Sequence, residues 1–374
     1  MRGIYLTFMV MFCFGFYSLS KNTATTNQME VLAEVIQVDN SKLTVIGSNR
    51  IGEQVLTVEL EDAISDEIRF KAYNLLSGTM EYDEFYHQGD KILVAVLLNS
   101  QGQVSQVKAL SHYRLPYLAI LFVLFAIALV VYAKKIGLLA LFSFTGSMVI
   151  IWQLLIPGLL AGYPPLLITS LTLAALSTLI IISVAGWTDK GKAALAGTMV
   201  GLMVTSVLCM ICGELLKLDG MSQPMSQSLL FETGMHLNML DILYAAVLIG
   251  ASGAAMDVAM EMAATIEELK LTNPGMTRNA LMRSGFRVGN AVIGTMTTTL
   301  LLAYSGGCLT LLMLFISRDT SLLQILNMKL VASEIARTLI GSFSLVIVAP
   351  LTAWISSHML MKTQSMPRLA ACRT

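Results

Sequence analysis

The sequence predicts an α-helical polytopic membrane protein with about eight transmembrane helices and a small all-β domain of OB-like barrel type after the first span. Three observations carry that expectation. Of 374 residues, 55% are hydrophobic and only 13% are charged, and mean hydropathy is +0.71. Polar and apolar residues alternate between positions 21 and 114, and from Leu115 onward the chain is almost continuously apolar. So much apolar surface does not fit inside one soluble core. The formal net charge of zero leaves no concentrated basic face, which argues against nucleic acid as a partner.

Residues 1–20 open with Arg2 and an apolar run closed by Ser18-Leu19-Ser20, the pattern of a signal anchor or a signal peptide. Few small residues precede its end, which favours an uncleaved anchor. Either form sends residues 21–114 out of the cytoplasm. There, runs at 31–38, 42–46, 55–60 and 92–98 are separated by Asp39-Asn40, Gly47-Ser48-Asn49 and Gly89-Asp90. Period-two patterning broken by turn residues predicts a small barrel of five or six strands. Its acids, Glu59, Glu61, Asp62, Asp66, Glu67, Glu81, Asp83 and Glu84, read as a solvated face, and His87 stands alone.

The membrane region, 115–362, divides into spans at 115–133, 136–156, 164–186, 193–216, 239–263, 289–316 and 335–360, followed by a cytoplasmic tail at 363–374. Basic residues fall on alternate loops: Lys134 and Lys135, Lys190 and Lys192, the group from Lys270 to Arg287, and Lys362 with Arg368. The positive-inside rule makes those loops cytoplasmic and places the β domain outside. The five cysteines lie in or beside apolar segments and imply no disulfide framework.

The stretch 243–269, LYAAVLIGASGAAMDVAMEMAATIEEL, is long enough to span a bilayer yet carries Asp257 and Glu261 four residues apart on one helical face, with Glu268 two turns on. A carboxylate at such depth costs on the order of 3 kcal/mol and is retained where it meets a partner, a polar cavity or an ion path. The small residues from Gly250 to Ala255 let a neighbouring backbone approach. The stretch therefore reads as a packed, ion-handling central helix. After the turn Asn273-Pro274-Gly275, Thr277 caps an expected short amphipathic helix on the inner leaflet, with Leu281, Met282 and Phe286 opposite Arg278, Arg283 and Arg287. An arginine partner for Glu267 or Glu268 is the simpler role for that cluster.

The next span carries Thr295, Thr297, Thr298 and Thr299. Hydroxyls in membrane helices usually bond their own backbone carbonyls; the functional alternative is that Thr295, Thr298 or Thr299 faces Asp257 and completes a polar pocket. Residues 317–338 read as an external helix entering the last span, with Glu334 and Arg337 paired at one turn's spacing and Pro350 kinking or breaking the span.

The runs GASGAAMDVAMEMAATIEEL, NPGMTRNALMRSGFRVGNAVIGTMTTTLLLAYSGGCLTLLMLF and ILNMKLVASEIARTLIGSFSLVIVAPLTA resemble the YibE/F-like family of bacterial multi-span membrane proteins, and the segment GDKILVAVLLNSQGQVSQVKALSHYR fits as well. The resemblance implies membrane class and location rather than an activity. An acid in a small-residue helix followed by a Thr- and Gly-rich helix is also similar to the central helices of RND-type exporters. That similarity implies Asp257 as a proton carrier, with Glu261 and Thr298 as relay partners.

Three other chemistries are weaker. Gly250-Ala251-Ser252-Gly253 resembles the GxSG of rhomboid proteases, but His358 lies on the order of 10 Å away in depth, beyond hydrogen-bond reach. Cys209 and Cys212, and the 24 methionines, read as packing rather than as metal ligands. No GxxxxGK loop is present. The expectation is thus a non-enzymatic transporter or transport subunit of the cell membrane without cofactor or metal. Its partners are the bilayer and, in a homo- or hetero-oligomer, a related membrane subunit; the substrate is not named by the sequence. The alternative is a membrane scaffold whose β domain binds an external partner.

Overall fold

The computed structural model describes residues 28–61, 69–99, 104–234, 236–318 and 320–362. The expected anchor at 1–20, the tail at 363–374 and three of the β-domain acids, Asp62, Asp66 and Glu67, lie outside the described residues. The chain divides into two compact units, 1–132 and 133–374.

In the first unit five strands, β1 (Gln28–Ile46), β2 (Asn49–Leu60), β3 (Arg69–Ser77), β4 (Lys91–Leu98) and β5 (Val104–His112), close a barrel in the order β1-β2-β3-β5-β4, antiparallel except for β3 with β5. Alternation drives the closure. Leu56, Val58 and Leu60 of β2 point inward with Val31, Ala33 and Val35 of β1, and Ile92, Val94 and Val96 of β4 complete the core. Two runs expected as separate strands form one 19-residue β1. The intervening Asp39-Asn40 is a bulge rather than a turn: the register shifts between Asp39 and Lys42, and the Asp39 carboxylate accepts from the Ser41 amide at 2.9 Å. The chain reverses instead at Gly47-Ser48, where Ile46 pairs with Asn49 and Gly47 supplies φ 63°.

A buried polar clamp fastens the segment before β4 to the barrel. The Gln54 amide donates to the Tyr86 carbonyl at 2.9 Å and accepts from the Tyr86 amide at 3.2 Å, and Asn74 donates to Gln54 at 3.1 Å and to the Glu84 carbonyl at 2.7 Å. Buried amides so paired fix the segment without leaving an orphan.

The apolar sequence forms α1 (Leu115–Ile150), a π turn (Ile151–Leu155), α2 (Ile156–Leu160), α3 (Pro165–Ala185), α4 (Asp189–Leu215), α5 (Ser226–Glu232), α6 (Met239–Thr272), α7 (Arg278–Gly307), α8 (Leu309–Ser317), α9 (Leu322–Asn327) and α10 (Lys329–Lys362). Among the described residues, five helical runs are long and apolar enough to cross a membrane, six if α7 and α8 count as one bent span. The first of them, Leu115–Leu160, contains two of the expected spans: Lys134 breaks it with φ 48° and ψ −118°.

Three expectations change at element scale. The amphipathic helix after Asn273 is not a separate surface element. Capped by Thr277, whose hydroxyl accepts from the Ala280 amide, it runs unbroken into the next span as α7 because nothing between Arg278 and Gly307 stops a helix and Leu281 is already buried. The span expected to continue to residue 316 bends by 63° between α7 and α8, after Gly306-Gly307. And Pro350, expected to kink or break the last span, does not break it: it lies inside α10.

In the second unit α6 is the central helix: 61% of its most apolar window is buried, the largest share of the five runs. It packs against α3, α4, α7 and α10. α4 also packs tightly against α10, through a stripe of small residues. Ala193, Gly197, Gly201, Thr205, Cys209 and Gly213 recur every fourth position along α4, all buried. A methyl group built on Gly197 would overlap Thr352, one on Gly201 would overlap Val348 of α10, and one on Gly213 would overlap the Tyr244 ring.

Candidate functional site

The acids expected to carry function sit on the one uncovered strip of this central helix. Met256, Val258, Ala259, Met262 and Ala263 are buried against neighbouring helices, while Gly250, Gly253, Asp257, Glu261, Ala264 and Glu268 are exposed along α6 at steps of three and four. The helical period alone places these six on one face. Asp257, Glu261 and Glu268 have no ion pair and no side-chain hydrogen bond among the described residues. Gly253 opens onto free space, and at Gly250 only Tyr304 of α7 comes close. The acids are therefore neither sealed against an arginine nor enclosed within the chain.

The level of Asp257 on α7 follows from two contacts. Ile266 packs over Gly285 and Met262 over Gly289, so each turn along α6 is matched by a turn back along α7, and the level of Asp257 falls at Gly294 and Thr295. Thr295, expected as a pocket partner, is thus at the right depth. Its hydroxyl nevertheless donates to the Val292 carbonyl at 3.0 Å, that of Thr298 to Gly294 at 3.1 Å and that of Thr299 to Thr295 at 3.0 Å. Each oxygen keeps its lone pairs and can still accept a hydrogen bond from a protonated carboxyl. The neighbouring Thr297, named with them in the sequence but not expected to face Asp257, has a buried hydroxyl without a partner among the described residues.

Two other carboxylates singled out by the sequence are paired. Glu334 and Arg337 meet at 3.3 Å, as their spacing predicts. Glu267 takes Lys190, at the start of α4, at 2.8 Å, a partner that sequence spacing does not indicate because the pair is joined only by packing. Lys270 is buried and donates to the Pro274 carbonyl at 2.7 Å, closing the turn after α6. Two cavities flank α7. One of about 350 Å³ lies between α7 and α10, beside Met262, Gly289, Asn290 and Pro350. The other, about 190 Å³, lies inside the α7–α8 bend beside Tyr304, Cys308 and Glu334. Neither takes an acid from the α6 strip.

The protease reading gains no geometry: Ser252 donates to the Ile249 carbonyl at 2.7 Å, and the His358 ring lies 2.9 Å from the Trp354 carbonyl. Cys209 is buried in the α4 stripe, and no cluster of three metal-ligating residues occurs among the described residues.

In the barrel the acids serve the domain itself. Glu59 pairs with Arg69 at 3.3 Å, Glu61 with Lys91 at 2.7 Å and Glu84 with Arg114 at 2.7 Å. Burial works against ionisation of Glu84, but the Arg114 guanidinium and the His112 amide outweigh it and hold the carboxyl below the usual range. His87 is exposed and lies 3.8 Å from Asp90.

A bundle of apolar helices with a small β-barrel ahead of it marks the chain as a membrane protein. The profile described as YibE/F-like protein matches residues 121–362, and the chain belongs to the YibE/F-like family. Neither a curated protein nor a solved structure matches it.

Proposed function

We propose that this YibE/F-like protein is a transporter or transport subunit of the bacterial cell membrane, coupled to protons or cations through Asp257 and Glu261. The observation that supports the reading is the strip itself: two carboxylates four residues apart, unpaired, on the open face of the helix that is otherwise the most enclosed. Two acids on one bare face of a membrane helix cost several kcal/mol together, and no internal partner offsets that cost. A group whose work is to exchange a proton or counter-ion is left unpaired for that reason. Thr295 lies level with Asp257 and, with Thr298 and Thr299, supplies acceptor oxygens along the same helix. Glu268 extends the strip toward the inner end, and Glu334 with Arg337 forms a structural pair at the outer end.

In this reading the chain has eight spans: one at 1–20, two within Leu115–Leu160, the bent α7–α8 pair, and the four helices α3, α4, α6 and α10. Both termini lie in the cytoplasm, the barrel lies outside, and no covalent catalysis takes place. Purified protein in proteoliposomes tests it: Glu261→Gln lowers proton or cation flux by at least tenfold, and flux equal to the native protein's removes the coupling role.

A second reading, a scaffold whose barrel binds an external partner, is favoured by one observation. Val45, Ile46 and Leu75 are 62–73% exposed around the β1–β2 hairpin and the end of β3. Deleting that apolar rim by Ile46→Ser and Leu75→Ser leaves flux unchanged under the first reading and abolishes function under the second.

A further inference from the structure

The same register that sets Asp257 against Thr295 brings out a feature of α7 that the coupling proposal does not use. Carried toward the cytoplasmic end, it places Arg283 level with Glu268 and Arg287 level with Ala264, one turn from Glu261 and Glu268. Both arginines are exposed. Arg287 donates to Ser284 at 3.3 Å, and neither reaches a carboxylate among the described residues. One chain thus presents an acidic strip on α6 and a basic strip on the adjoining α7, level with each other at Glu268 and Arg283 and not in contact.

We infer that a second copy of this chain covers the α6 strip, with the outer face of α7 from each copy seated against α6 of the other. Copies in one bilayer are related by rotation about the membrane normal, which preserves depth, so only residues of equal depth can face each other across such a contact. Glu268 and Arg283 satisfy that condition, and their charges are opposite. A two-fold contact uses both strips of both chains, and Glu268 of each copy gains a cation that the described residues of its own chain do not supply. The fit at mid-membrane is also close: Gly253 on α6 and Gly294 on α7 each have no atom within 4 Å of the position a side chain would take, which leaves room for backbone-to-backbone approach. A lipid phosphate could satisfy the arginines but not the carboxylates.

Cross-linking between differently tagged copies in the native membrane tests this, with the five native cysteines changed to alanine. The register sets Gly253 opposite Thr298, so one copy carries Gly253→Cys and the other Thr298→Cys. The expected result is a cross-linked pair at least tenfold above a control of Gly253→Cys with Arg283→Cys, whose levels differ by roughly 22 Å. Glu268→Arg alone lowers the yield at least tenfold, and adding Arg283→Glu restores it, which a merely misfolded variant would not do. A yield no higher than the control, a single chain per nanodisc by mass, or capture of a different protein at Gly253→Cys overturns the interface. Asp257→Asn keeps the cross-link, so failure of the interface and failure of proton coupling read separately.

Discussion

At the scale of single residues, what a side chain does here depends on whether its own fold completes it. Glu84 is completed: an arginine and a backbone amide hold it ionised in a partly buried site. Its folded-state pKa is depressed, so its contribution is full above the ordinary glutamate value of about 4.3 and is lost as pH falls through the lower folded value. Glu84→Gln is expected to cost the barrel about 1.5–3 kcal/mol at neutral pH, as for other charge-assisted hydrogen bonds, and to flatten the acid limb of its stability profile. Hydrogen exchange at the His112 amide measures both; an unchanged acid limb would contradict it. Asp257 and Glu261 are not completed, and the sequence already showed them as anomalous. What it could not show is which way the helix turns them, because a hydrophobic run of period 3.6 looks alike whichever arc is covered. The threonines illustrate the same limit: their hydroxyls take the backbone carbonyls that helix geometry offers first.

At the scale of elements, the expected spans correspond to the helices from Leu115 onward because length and apolarity are local properties. The misreadings are at junctions. Asp39-Asn40 looked like a turn and is a bulge, since a two-residue polar interruption is compatible with either until a partner strand decides. The arginine-rich start of α7 looked like a separate helix and is the first part of one continuous 30-residue helix. The α4 stripe is legible in the sequence as a four-residue repeat of small residues, although its member Cys209 is weighed there only as a metal ligand or packing residue. It gives a direct prediction. Gly201→Leu is expected to force α4 and α10 apart and cost about 1–3 kcal/mol or more, seen as a lowered unfolding temperature in detergent, because the added side chain meets Val348. Gly253→Leu, built into open space, should leave that temperature unchanged and weaken only the contact between copies.

At the scale of the whole molecule, the barrel closes on its own core and pairs most of its described acids, whereas the helical unit leaves one face of its central helix unfinished. Family membership accounts for the bundle, residues 121–362, and assigns no chemistry to it. The chemistry rests on the α6 strip. Asp257→Asn and Asp257→Glu, compared with the native protein for proton-driven or cation-driven flux in proteoliposomes at matched protein density, bear on that most directly. Flux abolished by Asn and retained at least in part by Glu is the predicted result, since only the ionisable group is needed. Flux through the Asn variant equal to that of the native protein would contradict it.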